Sequence, residues 1–92
     1  MKPCRLRVLY SGHVQGVGFR YTARYIARGF ELTGTVANLP DSRVELIAEG
    51  AREELTAFLT AIRESELGHF IRSETVTWEN AQGGLRGFEI VR

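Results

Sequence analysis

Apolar residues occur at every second position near the start of the chain. Leu6, Val8 and Tyr10 share this spacing within residues 5–11. A period of two residues places side chains on the same face of a β-strand. The pattern therefore predicts a half-buried strand, and three glycines within residues 12–18 predict a loop after it.

Two later segments follow the 3.6-residue period of an α-helix instead. In residues 19–30 the apolar face consists of Phe19, Ala23, Ile26, Ala27 and Phe30. In a segment from about Arg52 to Glu64 it consists of Leu55, Phe58, Leu59 and Ile62. We predict two amphipathic helices over these segments, with Gly29 as a suitable C-terminal stop for the first.

The other segments predict extended structure. Residues 32–39 and 44–48 flank the turn-forming sequence Pro40-Asp41-Ser42, which predicts a β-hairpin. A further strand is expected over about residues 70–79, and a short closing strand contains Phe88 and Ile90. The resulting order, β-α-β-β-α-β with a short terminal strand, is typical of a ferredoxin-like α+β sandwich.

In that fold both helices pack on one face of an antiparallel sheet. Right-handed crossovers leave few other ways to connect these elements. The absence of any linker, repeat or low-complexity stretch predicts a single domain over residues 1–92. The fold alone does not indicate a function, because it occurs in enzymes, RNA binders and regulatory modules.

Composition narrows the class of protein. The 92 residues contain 12 Lys and Arg and 11 Asp and Glu, and a net charge of +1 excludes a generally basic nucleic-acid coat protein. No apolar run approaches the ~18 residues of a membrane-spanning helix, and the charged N-terminus does not resemble a signal peptide. Cys4 is the only cysteine, which excludes an internal disulfide and favours a cytoplasmic location without a cysteine-based metal site.

Candidate chemistry concentrates between the first strand and the first helix, in residues 12–20. Glycines at 12, 16 and 18 permit positive φ angles, and successive N–H groups in such a loop can converge on an anion. Arg20 follows at the helix start, where its guanidinium could clamp a phosphate. The simpler interpretation is a flexible connection with an exposed arginine. The segment lacks the third glycine of a dinucleotide fingerprint and the Gly-Lys-Ser/Thr of a P-loop.

Other polar and aromatic residues have simpler interpretations. Asn38 precedes the Pro40 turn, as turn-initiating asparagines do. Arg24 and Arg28 continue the helical face of Arg20, which is typical of a solvated stripe. Three aromatic residues are more typical of core or half-buried packing than of ligand contacts, namely Tyr21, Tyr25 and Trp78.

Residues 14–20, with the sequence Val-Gln-Gly-Val-Gly-Phe-Arg, resemble the signature of the acylphosphatases. The resemblance continues over nearly the whole chain, in residues 34–41, 44–45 and 87–90. Two positions depart from the family pattern: Thr35 replaces a frequent aromatic residue, and Ser42 replaces the usual turn glycine. Neither position carries the family's chemistry, so the departures concern local packing and turn geometry.

The resemblance implies an enzyme that hydrolyses the anhydride between a carboxylate and phosphate, releasing the acid and inorganic phosphate. It implies no metal, no other cofactor and no covalent intermediate. It assigns phosphoryl binding to the loop amides and the arginine, which correspond to Gln15, Gly16, Val17, Gly18, Phe19 and Arg20. It assigns the attacking water to Asn38.

Two alternatives remain at this stage. A non-catalytic phosphate- or RNA-binding module shares the fold, but the RNA-binding domain needs aromatic residues on a central strand. Residues 43–49 contain no aromatic residue and two glutamates, so we expect no nucleic-acid partner. The second is a carbamoyl-phosphate-handling domain of a larger protein, but the short chain favours a stand-alone enzyme. For its oligomeric state, a monomer is the simplest expectation. The acyl group of the substrate cannot be read from the sequence.

Overall fold

A five-stranded sheet is the framework of the computed structural model, which describes residues 2–92. Two helices and a short 3₁₀ segment complete the secondary structure of these residues. In chain order the elements are β1 (Cys4–Gly12), α1 (Phe19–Ala27), β2 (Leu32–Asn38), β3 (Val44–Gly50), α2 (Arg52–Glu64), the 3₁₀ segment (Glu66–Phe70), β4 (Ile71–Asn80) and β5 (Phe88–Ile90).

The strands lie in the order β4-β1-β3-β2-β5. The four longer strands pair antiparallel, which confirms the ferredoxin-like prediction. β5 instead pairs parallel with β2, so the complete sheet is mixed. The reason lies in the connection after β4: its residues cross the end of the sheet, and β5 then runs back in the direction opposite to β4.

The core lies between the sheet and the two helices. Leu6, Val8 and Tyr10 are fully buried, which confirms the alternation of the first strand. The apolar helix stripes are buried against them, as predicted; their buried members are Phe19, Ala23, Ala27, Leu55, Phe58, Leu59 and Ile62. No helix within residues 2–92 is long and apolar enough to cross a membrane.

α1 ends at Ala27, three residues before the predicted boundary. The N–H groups of residues 28–30 donate hydrogen bonds to the carbonyl oxygens three residues earlier. The last of these bonds joins the Phe30 N–H to the Ala27 oxygen at 3.1 Å. This tighter turn is a common helix ending. Phe30 still contacts the core, with its ring 5.8 Å from that of Phe58.

Glu49 holds the connection between β4 and β5 on the face of the sheet opposite the helices. Its carboxylate accepts hydrogen bonds from the Gln82 N–H at 2.7 Å, the Gly83 N–H at 3.0 Å and the Arg5 Nε at 2.6 Å. Burial alone would raise the pKa of Glu49, but these hydrogen bonds outweigh it and lower the pKa from its ordinary value of 4.5. The ionised carboxylate is therefore part of the folded structure.

Candidate active site

The loop between β1 and α1 has a backbone that only glycine adopts readily. Gly16 has φ of 81° and Gly18 has φ of 77°, both in the left-handed region. A Cβ atom at either position would meet nothing within 4 Å, so the conformation, and not the available space, demands glycine. The N–H groups of residues 15–20 donate to no backbone acceptor among residues 2–92. They are free to bind a ligand.

Phe19 joins this loop to the core. Its side chain is buried and packs on Tyr10, with the ring centres 5.0 Å apart. The Tyr10 hydroxyl has no hydrogen-bond partner among the described residues, and burial raises the pKa of this phenol. Because the Phe19 ring is fixed, the start of α1 and its first N–H groups are fixed as well.

A small cavity of about 140 Å³ opens at this helix start. Its walls are formed by Val14, Gly16, Gly18, Phe19, Arg20, Tyr21 and Asn38. The volume lies well below the roughly 300–1,000 Å³ of a site for a drug-sized ligand. A cavity of this size suits a small ion or one functional group of a larger molecule.

The cavity brings together five of the seven residues proposed from the sequence, although they are up to 22 positions apart. Arg20 contributes from the first turn of α1, and Asn38 from the last residue of β2. Arg20 forms no ion pair with any residue among 2–92. An uncompensated guanidinium at the positive end of a helix dipole makes the cavity a site for anions.

Gln15 and Val17 belong to the same loop but do not line the cavity. The Gln15 side chain has a role that the sequence did not indicate. Its Nε2 donates to the carbonyl oxygens of Leu39 and Arg43, both at 2.9 Å. These two residues close the β2–β3 hairpin directly beside Asn38. Gln15 therefore fixes the loop against the strand end that carries Asn38.

The hairpin turn forms where the sequence placed it. The Leu39 N–H donates to the Arg43 oxygen at 2.8 Å, and Asp41 accepts hydrogen bonds from the Arg43 side chain and backbone. Ser42 adopts a positive φ of 77°, the conformation that a glycine would favour. A non-glycine residue in this region costs about 1–3 kcal/mol, so Ser42 strains the turn.

The prediction that Tyr21 and Tyr25 pack in the core or are half-buried is wrong. Their side chains are 63% and 70% exposed. The reason is helical geometry: α1 buries Phe19 and Ala23, and a residue two positions further along lies on the opposite side of the helix. Tyr21 instead forms part of the cavity wall. Two signals in the sequence pointed to this position: the helical period, which places Tyr21 opposite Phe19, and the neighbouring Arg20. Trp78 is half-buried as expected, with Arg52 over its ring at 4.0 Å.

Carboxylates, thiols and imidazoles are missing from the walls of the cavity. Among residues 2–92 no three His, Cys, Asp or Glu side chains form a group that could hold a metal ion. The polar side chains of the wall are one guanidinium (Arg20), one carboxamide (Asn38) and one phenol (Tyr21), beside the backbone N–H groups of the loop. Such a set can bind an anion and orient a small polar molecule beside it.

Comparisons of the sequence and of the structure with known proteins agree on one family. The sequence model of the family described as Acylphosphatase matches residues 6–90. An acylphosphatase of Acidothermus cellulolyticus is 45% identical over 87 residues, covering 91% of this chain and 83% of the relative. The crystal structure of acylphosphatase from Bacillus subtilis has a TM-score of 0.88 and 35% identity, covering 97% of this chain and 99% of that one. Full-length HypF, in a phosphate- and nucleotide-bound form, has a TM-score of 0.88 and 28% identity over 99% of this chain, which spans 12% of HypF.

Proposed function

Because this chain belongs to the acylphosphatase family, and is an acylphosphate hydrolase, we propose how its cavity performs the reaction. The phosphoryl group occupies the cavity, held by the amides of Gln15 to Phe19 and by Arg20. A water molecule held by Asn38 attacks phosphorus in line with the bond to the acyl oxygen. The carboxylate leaves, and inorganic phosphate remains as the second product.

The observation that carries this proposal is the meeting of loop, guanidinium and carboxamide around one small cavity. The N–H groups of residues 15–20 have no backbone acceptor within residues 2–92, and the helix dipole adds positive charge behind them. Phosphoryl transfer passes through a loose transition state, so positioning and charge stabilisation supply most of the catalysis. These are the two contributions that the cavity residues can make.

Asn38 has the chemistry needed to hold the nucleophile. Its carboxamide contains an acceptor for a water proton and donors that can orient the water oxygen. The backbone of Asn38 is fixed by pairing with Val44, and Gln15 holds the neighbouring residue Leu39 against the phosphate loop. Asn38 can therefore present a water at a constant distance from the phosphoryl group.

The reaction needs no further acid or base from the protein. A carboxylic acid has a pKa near ~4, so the carboxylate leaves without being protonated. A phosphoryl oxygen can accept the proton of the attacking water. This agrees with walls that contain no carboxylate, thiol or imidazole among the described residues.

The substrate is a small acylphosphate, and we propose that the enzyme acts as a monomer, in the cytoplasm, without metal or nucleic acid. The sheet face that RNA-binding relatives of the fold use is occupied by charge pairs in this chain. Glu49 pairs with Arg5 at 2.6 Å, and Glu45 pairs with Arg7 at 2.8 Å. Two carboxylates on the central strand disfavour a phosphate backbone at that face.

The test is hydrolysis of benzoyl phosphate by the purified protein in excess chelator, with Arg20→Gln and Arg86→Gln as a matched pair. Both variants remove one positive charge, but Arg86 is exposed and lies outside the cavity. We expect hydrolysis by the wild type and by Arg86→Gln, and a loss of about 100-fold or more in Arg20→Gln. Equal activity of the two variants would remove the cavity from the mechanism.

A further inference from the structure

The wall of the cavity continues onto the outer surface of α1. Tyr21 forms part of that wall and is nevertheless 63% exposed. Tyr21 and Tyr25 are the only large apolar side chains that are exposed among residues 2–92. They lie one helical turn apart, on the side of α1 that faces away from the core. An aromatic ring at the mouth of a polar cavity offers a contact surface to whatever extends from it.

An arginine accompanies each of these rings. The Arg24 guanidinium lies 5.4 Å from the centre of the Tyr21 ring, and that of Arg28 lies 5.8 Å from the Tyr25 ring. Neither arginine forms an ion pair with any residue of the described chain. α1 contains no acidic residue, so the charges of Arg20, Arg24 and Arg28 follow one another along the helix without compensation. Like charges at this spacing destabilise a helix, and an anion beside them would relieve the repulsion.

Space for a ligand continues beyond Arg24. Arg24 and Arg28 border a shallow depression of about 490 Å³ whose other walls are Ala27, Phe30, Leu32, Gly87 and Phe88. Tyr21 lines the phosphoryl cavity and the Arg24 guanidinium lies over its ring, so the cavity, Tyr21 and Arg24 follow one another along α1. Arg20 and Arg24 are one turn apart, a rise of about 6 Å. A short acyl chain can span this distance.

On the basis of the function proposed above, we infer that Tyr21 and Arg24 form the subsite for the acyl part of the substrate. The subsite selects acylphosphates whose acyl chain ends in a second anionic group. The phosphoryl group is fixed by the loop and Arg20, the chain lies against the Tyr21 ring, and the distal anion pairs with Arg24. Arg28 lies one turn further along and is out of reach of a chain of this length.

The test compares two substrates of equal carbon number. One is butanoyl phosphate, and the other carries a carboxylate in place of its terminal methyl group. kcat/KM is measured for both substrates with the wild type, Arg24→Gln and the matched control Arg28→Gln at low ionic strength. We expect the wild type to prefer the carboxylate substrate, and Arg24→Gln to reduce that preference about fivefold, as for one exposed ion pair. Arg28→Gln removes the same charge and is expected to keep the preference.

Each result bears on one of the two claims. Failure of the wild type to hydrolyse either substrate would refute the proposed function and the subsite with it. Hydrolysis of both without preference, or a preference that survives Arg24→Gln, would refute the subsite and leave the proposed function standing. An equal loss of preference in Arg24→Gln and Arg28→Gln would also refute it, because net charge alone would then explain the selection.

Discussion

The side chain of Gln15 is expected to control both the stability of the fold and the position of Asn38. Its Nε2 donates two hydrogen bonds of 2.9 Å to the β2–β3 hairpin. Gln15→Met keeps an unbranched side chain of similar length but removes the donor. A net contribution of about 0.5–1.5 kcal/mol per hydrogen bond gives a loss of about 1–3 kcal/mol in the free energy of unfolding.

The same change is expected to slow the reaction. Without the two hydrogen bonds the hairpin end and Asn38 can shift relative to the phosphate loop. A misplacement of about 1 Å can cost on the order of 100-fold in rate. We expect kcat to fall by about 10-fold or more, with a smaller change in KM because the loop amides and Arg20 remain.

The assays are urea unfolding and steady-state hydrolysis of benzoyl phosphate, with Gln82→Met as the control. Gln15 and Gln82 are the two glutamines of the chain. Gln82 is exposed and contributes only its backbone N–H, which donates to Glu49 and survives the substitution. Gln82→Met is expected to change stability by no more than about 0.5 kcal/mol. If Gln15→Met behaves like Gln82→Met in both assays, the reasoning about the hairpin is refuted.

Three further predictions follow from the site and the sheet. Activity in EDTA is expected to equal activity with added magnesium; a loss of about tenfold on chelation that metal restores would contradict a site without metal ligands. Arg20→Lys is expected to lower kcat/KM by about 100-fold or more with unchanged circular dichroism, because lysine lacks the planar paired donors; near-normal kinetics would exclude Arg20 from the site. Because the pKa of Glu49 is lowered in the folded state, its contribution to stability is complete above pH 4.5 and is lost as the pH falls through the folded pKa. The difference in unfolding free energy between the wild type and Glu49→Gln should therefore shrink below that pH, and a difference that stays constant would contradict the assignment.

Local patterns predicted the order of the elements because each element carries its own periodicity. The alternation of Leu6, Val8 and Tyr10 and the helical stripes of α1 and α2 are properties of neighbouring residues. Their members are buried as expected, except that Ile26 and Phe30 are only half-buried. The direction of β5 could not be predicted in this way. It depends on the path of the connection between β4 and β5. There the Glu49 carboxylate accepts hydrogen bonds from Gln82 and Gly83, which lie 33 and 34 positions further along the chain.

The residues of the candidate site also fall into those that local sequence predicted and those that it did not. The glycines and Arg20 lie in one short segment, so their grouping was visible in the sequence, and the family resemblance added Asn38. The contacts of Gln15 with Leu39 and Arg43 join residues 24 and 28 positions apart and leave no local pattern. The exposure of Tyr21 was missed because its aromatic character was weighed above the helical period, which places it opposite Phe19 and Ala23.

The division of labour between Asn38 and the phosphate-binding groups is the central claim, and the kinetics of Asn38→Ala test it most directly. Asn38 holds the attacking water and not the phosphoryl group, so it acts in the transition state and little in ground-state binding. The measurement is kcat, KM and the inhibition constant of inorganic phosphate for the wild type and the variant. We predict that kcat falls by about 100-fold or more while KM and phosphate inhibition stay within a few-fold. Weakened phosphate inhibition with unchanged kcat would contradict the claim and make Asn38 a binding or turn residue.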